Sequence, residues 1–445
     1  MKAYLLSLGC SKNLVDSETM IYNLEQEQIV MTNDEEDAEL IIVNTCAFIG
    51  DAKEESIDSI LALAQLKENK LQKLIVTGCL PQRYAEELLK EIPEIDGVIG
   101  TGRYEDVVEL IRQLDEKPNQ NLSFVDDILQ HKIYKELPRV TSTPSHYAYL
   151  RIAEGCDHHC TYCIIPGIRG QYRSRKKEDI LTEAQWLSQK GVKELIVIAE
   201  DISVYGMDLY GKNELVPLLK ELAPIDGIER IRLLYVYPNH ISDEFFDLMA
   251  NEEKICNYID MPIQHISDPV LKKMGRRITG DRIKEIIEKA REKVPGIVFR
   301  TSLIVGFPGE TEEDFGALCD FVTEYKIERL GVFAYSREED TPAYKLPDQI
   351  PEKIKLKRKD RIMKLQFKNV KEYNEAIIGK KIEVIVDDFD GIFFESRSCS
   401  ETVEIDPVIL VKYDDRIKIG DIIECTIVCH SDYDIIGEIE SELTE

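Results

Sequence analysis

Three cysteines lie within eight residues, at a spacing that suits a shared metal site. Cys156, Cys160 and Cys163 are separated by three and then by two residues, so a tight turn can direct all three thiols at one small object. Thiolates are soft ligands that suit zinc or iron–sulfur clusters. Structural zinc normally has four closed protein ligands, whereas the next cysteine along this chain is Cys256. The spacing therefore indicates an iron–sulfur cluster with one metal position left open.

Two alternatives remain for these thiols: a zinc site completed by His158 or His159, or three unrelated thiols. A second set of cysteines favours the cluster. Cys10, Cys46 and Cys79 each follow a short apolar run by two or three residues. In an open parallel sheet, ligands bind beyond the carboxyl ends of the strands. Buried core cysteines would lie inside the runs, so we expect these three thiols to converge on a second cluster site.

The first part of the chain, residues 1–116, alternates short apolar runs with helical patterns. Such alternation predicts a parallel sheet with helices on both faces. Residues 117–141 are rich in Pro, Asn, Asp and Gln, and we interpret them as a linker. We therefore expect an N-terminal open parallel α/β domain that carries the second set of thiols.

Residues 142–374 alternate in the same way and contain six βα units, against the eight of a closed barrel. An open, partial (β/α)6 barrel fits this number. Its functional edge should lie where the strands end, and several candidate residues fall there: Glu200, Asp201, Tyr237, Gln264, His265 and Gly306. Each is either a ligand contact or a solvated loop residue, and we favour Glu200 over His265 as a ligand contact.

The last part, residues 375–442, has short β patterns that are separated by glycines, which predicts a small antiparallel β-barrel. Residues 376–445 carry 18 acidic and 6 basic side chains. Small barrels that bind RNA are normally basic. An acidic barrel would instead repel phosphate and attract a cationic protein.

The composition restricts the class of protein. The chain has 445 residues, with 84 acidic and 56 basic side chains, which argues against a general affinity for nucleic acid or for an anionic membrane. No run approaches the ~18 apolar residues that span a bilayer, and no secretory h-region follows Met1. We therefore expect a cytoplasmic protein without a membrane partner. Its cysteines should be ligands or buried thiols, and no function is predicted for five of them: Cys256, Cys319, Cys399, Cys425 and Cys429.

Two resemblances follow from these residues. The segment 156–163, with the aromatic Tyr162 directly before the third cysteine, resembles the motif of the radical S-adenosylmethionine (SAM) superfamily. Over nearly the whole chain, further segments resemble the methylthiotransferases: 7–18, 44–46, 77–79, 154–166, 169–170, 174–175, 259–265, 304–311 and 334–351. This resemblance implies an N-terminal cluster domain, a radical SAM barrel and a C-terminal TRAM barrel.

Two branches of the methylthiotransferases act on different substrates. One modifies an adenosine next to the tRNA anticodon and typically has Gly-Cys-Gln-Met-Asn at the first cysteine. The other modifies an aspartate of the basic ribosomal protein S-twelve. Residues 9–13 of this chain read Gly-Cys-Ser-Lys-Asn and are similar to the second branch, as are residues 397–398 and 404–406. The acidic tail agrees with this assignment for an independent, electrostatic reason.

The resemblance implies β-methylthiolation of an aspartate of S-twelve with SAM and two [4Fe–4S] clusters. One cluster would bind SAM and be held by Cys156, Cys160 and Cys163. The auxiliary cluster would be held by Cys10, Cys46 and Cys79. Tyr162 would pack on the adenine of SAM, and Glu200 is a further candidate SAM contact, although the family commonly has Gln at its position.

Further partners follow from the same resemblance. An electron donor is required to reduce the cluster that binds SAM, and tight binding of tRNA is not expected. Two alternatives stay open: a tRNA methylthiotransferase, and a non-catalytic scaffold that binds zinc or an iron–sulfur cluster.

Overall fold

The computed structural model describes residues 1–117 and 120–439. Residues 118–119, inside the predicted linker, and residues 440–442, at the end of the predicted last domain, lie outside the described residues. The described chain forms two parallel sheets with helices and one closed barrel, in that order.

The first sheet has six parallel strands in the order β2-β1-β3-β4-β5-β6. Its strands are β1 Lys2–Ser7, β2 Val30–Met31, β3 Leu40–Thr45, β4 Lys73–Gly78, β5 Gly97–Ile99 and β6 Leu122–Phe124. Its helices are α1 Ser11–Gln26, α2 Gly50–Ala64, α3 Cys79–Glu91 and α4 Val107–Glu116. This arrangement confirms the predicted open parallel α/β fold.

Both faces of this sheet are buried, because successive residues of a strand point to opposite faces. Ile41 and Val43 of β3 pack in one apolar cluster with side chains of α2 and α3. Leu40 and Ile42 of the same strand pack in a second cluster with side chains of α1 and α4. A strand that is buried on both sides reads as a continuous apolar run, as β3 does.

The second sheet also has six parallel strands, which neighbour each other in chain order: β7 Tyr147–Arg151, β10 Glu194–Ile198, β11 Arg230–Leu233, β12 Ile255–Asp260, β13 Val298–Val305 and β14 Arg329–Ala334. A separate two-stranded sheet is formed by β8 Ala153–Glu154 and β9 Arg173–Ser174. Edge strands β7 and β14 belong to one open sheet, which agrees with the predicted partial (β/α)6 barrel.

Nine helices accompany these strands among the described residues. They are α5 Ile165–Arg169, α6 Lys177–Gln189, α7 Met207–Tyr210, α8 Leu215–Leu222, α9 Asp243–Asn251, α10 Asp268–Lys273, α11 Gly280–Lys293, α12 Glu312–Tyr325 and α13 Glu352–Ile377. Local signals mark their ends. Thr311 and Asp314, for example, form a reciprocal capping box at the start of α12, which satisfies backbone N–H groups there.

The last five strands form a closed barrel in the order β15-β16-β17-β19-β18. They are β15 Lys381–Phe389, β16 Phe393–Arg397, β17 Ile409–Lys412, β18 Ile422–Ser431 and β19 Asp434–Glu438. The predicted small barrel is thus present, and its pairings are antiparallel except that β17 and β19 run parallel. Across the described residues, none of the helices combines the length and the apolar character that crossing a membrane requires.

A buried carboxylate joins the barrel to the second sheet. Glu194, at the start of β10, is fully buried and accepts hydrogen bonds from Arg232 at 2.6 Å and from Arg397 at 2.9 Å. Burial raises the pKa of Glu194, but Arg232 and Arg397 more than reverse that effect and hold it at about 2. Arg232 also donates to the backbone carbonyls of Ser398 and Cys399. One ionised glutamate therefore anchors the barrel strand β16 and the loop that follows this strand.

Replacing this anchor should destabilise the protein. We expect Glu194→Gln to lower the free energy of unfolding by about 3 kcal/mol, because the buried Arg232 loses its carboxylate partner and Arg397 retains Asp387 but loses Glu194. Urea denaturation followed by circular dichroism measures this loss. Glu383→Gln is the matched control, because Glu383 pairs with Arg230 across the same interface but is 66% exposed, and it should cost under about 1 kcal/mol. Equal losses in both variants would contradict the anchoring role of Glu194.

Candidate functional site

Six cysteines line a single cavity of about 450 Å³. The cavity lies where the carboxyl ends of both parallel sheets meet, and it contains every thiol that was predicted as a ligand: Cys10, Cys46, Cys79, Cys156, Cys160 and Cys163. The barrel domain adds Ile405 to the wall. All six of these cysteines are free thiols.

The first three thiols come from three adjacent strands. Cys10 is the residue before α1 and follows β1, Cys46 directly follows β3, and Cys79 begins α3 directly after β4. Strands β1, β3 and β4 are neighbours in the sheet. The parallel topology therefore brings together thiols that are separated by more than thirty residues of sequence.

Close backbone packing fixes this first set. Gly9 has φ +89°, and a side chain there would lie 2.8 Å from Cys46 Cβ and 3.2 Å from its Sγ. Asn13 Nδ2 donates hydrogen bonds to the carbonyls of Leu8 at 3.0 Å and Thr45 at 2.9 Å. Asn13 therefore ties the loop of Cys10 to the loop of Cys46, and only glycine fits between them.

The second three thiols lie on the segment between β8 and α5. Cys156 N–H donates to the carbonyl of Gly170 at 3.1 Å, and Thr161 N–H donates to the carbonyl of Met274 at 2.9 Å. Within the segment, Cys163 N–H donates to the carbonyl of Cys160 at 3.0 Å. These backbone hydrogen bonds hold the thiols in a tight turn, as their spacing predicts.

The two histidines of this segment do not complete a zinc site. The His158 ring stacks on Tyr237 with a centroid distance of 3.9 Å, and its Nε2 is hydrogen bonded to Asp201 Oδ2. In the described part of the chain, no three His, Cys, Asp or Glu side chains are placed to bind one metal ion. The thiolates of an iron–sulfur cluster bind different iron atoms and can lie farther apart than the ligands of one zinc ion. The donor set and its placement fit the cluster better than zinc.

Burial favours the neutral form of several of these thiols. It raises the pKa of Cys79 to about 12 and that of Cys163 to about 12, and it also raises the pKa of Cys156. Cations oppose this effect: Arg169 acts on Cys79, and Arg276 acts on Cys163. A metal centre would compensate the charge of the buried thiolates, so Cys79, Cys156 and Cys163 would lose their protons when a cluster binds.

Tyr162 and Glu200, the two predicted cofactor contacts, also line the cavity. The Tyr162 hydroxyl accepts a hydrogen bond from Arg276 at 3.3 Å. Glu200 follows β10, and burial raises the pKa of its carboxyl group although Lys12 and Arg169 oppose the shift. Its Oε2 is buried and has no hydrogen-bond partner among the described residues. A buried polar atom of this kind indicates a missing partner, which fits a bound cofactor.

The other predicted edge residues divide into two groups. Tyr237 and Gln264 line the cavity. His265 is fully buried outside the lining, where its Nδ1 accepts from Ser267 N–H at 3.0 Å. Asp201 orients His158 and Ser203, and Gly306 N–H donates to Glu310. His265, Asp201 and Gly306 therefore have structural roles behind the cavity wall.

The lining residues that sequence reasoning missed as site residues include Lys12, Tyr235 and Ile405. Lys12 was used only as a family marker, although a lysine in the first turn of a helix is an unusual choice. Tyr235 has φ +64°, a strained conformation for a tyrosine, and no sequence pattern shows it. Ile405 reaches the cavity from the barrel domain, which only the tertiary structure reveals.

Comparison with family models divides the chain into three matched parts. Residues 2–100 match the uncharacterized protein family UPF0004, residues 150–322 match the radical SAM superfamily, and residues 378–439 match the TRAM domain. Solved structures with a similar fold include the radical SAM methyltransferase TsrM from Kitasatospora setae, with a TM-score of 0.59 at 15% identity over 77% of this chain and 76% of that chain. The radical SAM enzyme OxsB has a TM-score of 0.53 at 14% identity, over 82% of this chain and 56% of that chain.

Curated relatives are similar over the whole length. "Ribosomal protein uS12 methylthiotransferase RimO" of Acetivibrio thermocellus is 48% identical over 99% of both chains. The protein of the same name from Clostridioides difficile is 48% identical over 100% of both chains, and that from Geobacter sulfurreducens is 47% identical over 99% of both chains. The chain therefore belongs to the RimO family of radical SAM methylthiotransferases.

Proposed function

We propose that this chain attaches a methylthio group to the β-carbon of an aspartate in ribosomal protein uS12, the S-twelve of the sequence analysis. Its relatives bear the name of that activity. The observation that carries the proposal is that two sets of three thiols line one cavity. A radical source and a sulfur source must both reach one substrate carbon, and a shared cavity allows this.

The six thiols have two proposed roles. One set holds the [4Fe–4S] cluster that binds SAM: Cys156, Cys160 and Cys163. The other set holds the auxiliary [4Fe–4S] cluster: Cys10, Cys46 and Cys79. When bound, these groups supply the electron that cleaves SAM to a carbon-centred radical and the sulfur that is transferred.

The protein's own side chains position the reactants and exclude water. The β C–H bond of aspartate is unactivated, so no side-chain base could remove its hydrogen at neutral pH. Catalysis therefore depends on holding the substrate beside the radical source. Tyr162 and Glu200, which line the cavity, are the proposed contacts of SAM. Large apolar side chains complete the wall: Phe48, Ile49, Ile304, Phe333 and Tyr335.

The barrel domain is the proposed docking element for the substrate protein. Residues 376–445 carry 18 acidic and 6 basic side chains, and a basic ribosomal protein is attracted to such a surface. Ile405 of this domain borders the cavity, so a docked protein would lie beside the site. We infer further that an electron donor is required, that tRNA is not bound tightly, and that a ribosomal substrate places the enzyme in the cytoplasm.

Reconstituted enzyme should modify uS12 in the presence of SAM and a reductant. Mass spectrometry of recombinant uS12 is expected to show the mass of one methylthio group on a single aspartate. Unmodified tRNA in a parallel reaction should gain no methylthioadenosine, because the acidic barrel repels phosphate. If tRNA were methylthiolated and uS12 were not, this result would overturn the proposal and support the other branch of the family.

Two triple variants test the assignment of the clusters. The wild-type chain should bind about eight irons, and a Cys156→Ala/Cys160→Ala/Cys163→Ala variant should retain about half, because its auxiliary site is intact. Cleavage of SAM should be lost in that variant and should persist in a Cys10→Ala/Cys46→Ala/Cys79→Ala variant. Iron analysis measures the bound iron, and chromatography of 5′-deoxyadenosine measures the cleavage of SAM. Loss of all iron from the first variant would refute the two-site assignment.

Gly9 provides a test that leaves every thiol in place. Gly9→Ala should lose about half of the bound iron, because the added methyl group would lie 2.8 Å from Cys46 Cβ. Gly191→Ala is the matched control, because Gly191 has φ +95° but nothing within 4 Å of an added Cβ. It carries the same backbone strain without the clash and should bind iron as the wild type does. Full iron in Gly9→Ala would show that close packing at Gly9 does not shape the auxiliary site.

A further inference from the structure

Lys12 places a buried ammonium group in the cavity wall. Its side chain lines the cavity, and the residue is 6% exposed. Its Nζ lies 3.0 Å from the centroid of the Tyr235 ring, which the second sheet supplies from the loop after β11. No carboxylate of the described residues lies within ion-pair distance of this Nζ, so the aromatic face is its main contact.

This placement favours the binding of an anion. Helix α1 begins at Ser11, so Lys12 lies in its first turn, where the helix dipole is positive and acidic residues are preferred. The first turn of α1 has no acidic residue. Burial of an ammonium group without a salt bridge is costly, and Glu200 compensates this charge only from beyond ion-pair distance. Both effects are reversed when a carboxylate binds beside Lys12.

Three other cations line the cavity, but each has a partner in the protein. Arg169 binds Asp16, Glu154 and Asn13. The two remaining side chains are also engaged: Arg276 with Tyr162 and the Pro262 carbonyl, and Arg300 with Asp260. Arg276 also lacks a carboxylate partner, but its guanidinium group donates to Tyr162 and to the Pro262 carbonyl. Of these four cations, Lys12 is therefore the one whose main contact is an aromatic face rather than a hydrogen-bond acceptor.

Lys12 shares the cavity with both thiol sets, which restricts the ligand that it can bind. Its ammonium group interacts electrostatically with Cys10 of the first set and with Glu200. Glu200 in turn interacts with Cys156 and Cys163 of the second set. The substrate carbon must lie between the two sets, and the carboxylate of an aspartate is one bond from its β-carbon. A group that binds this carboxylate must therefore border both sets.

We propose that Lys12 binds the side-chain carboxylate of the substrate aspartate and so selects aspartate over neutral groups. This assignment rests on the proposed function. An asparagine or a nucleobase carries no negative charge, so it would leave the buried ammonium group without a salt bridge.

The test combines two enzymes with two substrates. Reconstituted wild-type and Lys12→Gln enzymes are titrated with labelled uS12, and with uS12 whose target aspartate is replaced by asparagine, using fluorescence anisotropy without reductant. We expect wild-type enzyme to bind the aspartate form about 10- to 100-fold more tightly, as for a hydrogen bond between charged groups. Lys12→Gln should bind both forms with nearly equal affinity. Lys12→Met, a neutral variant of similar length, should behave as Lys12→Gln does.

Controls separate this role from the alternatives. Lys90→Gln removes an exposed lysine of the same domain and should keep the wild-type preference for aspartate. Iron content and the dissociation constant of SAM should be unchanged in the Lys12 variants. An unchanged preference in both variants, loss of iron, or weakened SAM binding with retained preference would each overturn the assignment. Failure of wild-type enzyme to bind or modify uS12 would instead overturn the proposed function, and this assignment with it.

Discussion

A buried carboxylate at Asp16 holds the two halves of the site together. Asp16 lies in α1 of the first sheet and accepts hydrogen bonds from Arg151 and Arg169 of the central domain, each at 2.6 Å. All three side chains are almost fully buried. Removing one partner of such a network costs about 3–5 kcal/mol, because the remaining charges stay buried. The relative position of the two thiol sets therefore depends on this aspartate, together with the pairs of the buried Glu338 with Lys53 and Arg83.

The same network orients the residues that face the cavity. Arg169 also binds Asn13, and Asn13 ties the loops of Cys10 and Cys46 through the carbonyls of Leu8 and Thr45. A shift of Arg169 would thus move the first thiol set. Reaction between radical, substrate and sulfur requires contact distances, and small displacements are costly in rate. Compared with apolar side chains of similar volume, buried charge pairs add little to stability. Here they fix a geometry on which the chemistry depends.

The convergence of the six thiols was predictable from the sequence, whereas several of the side chains around them were not. Cys10, Cys46 and Cys79 follow apolar runs, and parallel topology alone brings such positions to one edge. Ile405 lies about 240 residues from Cys163, and its place in the wall depends on how the barrel docks through Glu194 and Arg397. His265 follows a strand as Glu200 does, yet it is buried behind the wall. The local sequence pattern predicts where a strand ends, whereas tertiary packing determines which side chain reaches the cavity.

Charge acts at two length scales in this protein. The surplus of acidic side chains in the barrel domain acts over roughly a Debye length, about 8–10 Å at physiological salt, and it favours a basic partner without distinguishing its residues. Lys12 acts only on a group in the cavity, because its charge is buried. An acidic exterior and a cationic interior are thus complementary: the first attracts a basic protein, and the second accepts its acidic side chain. Neither alone would select an aspartate on a basic protein.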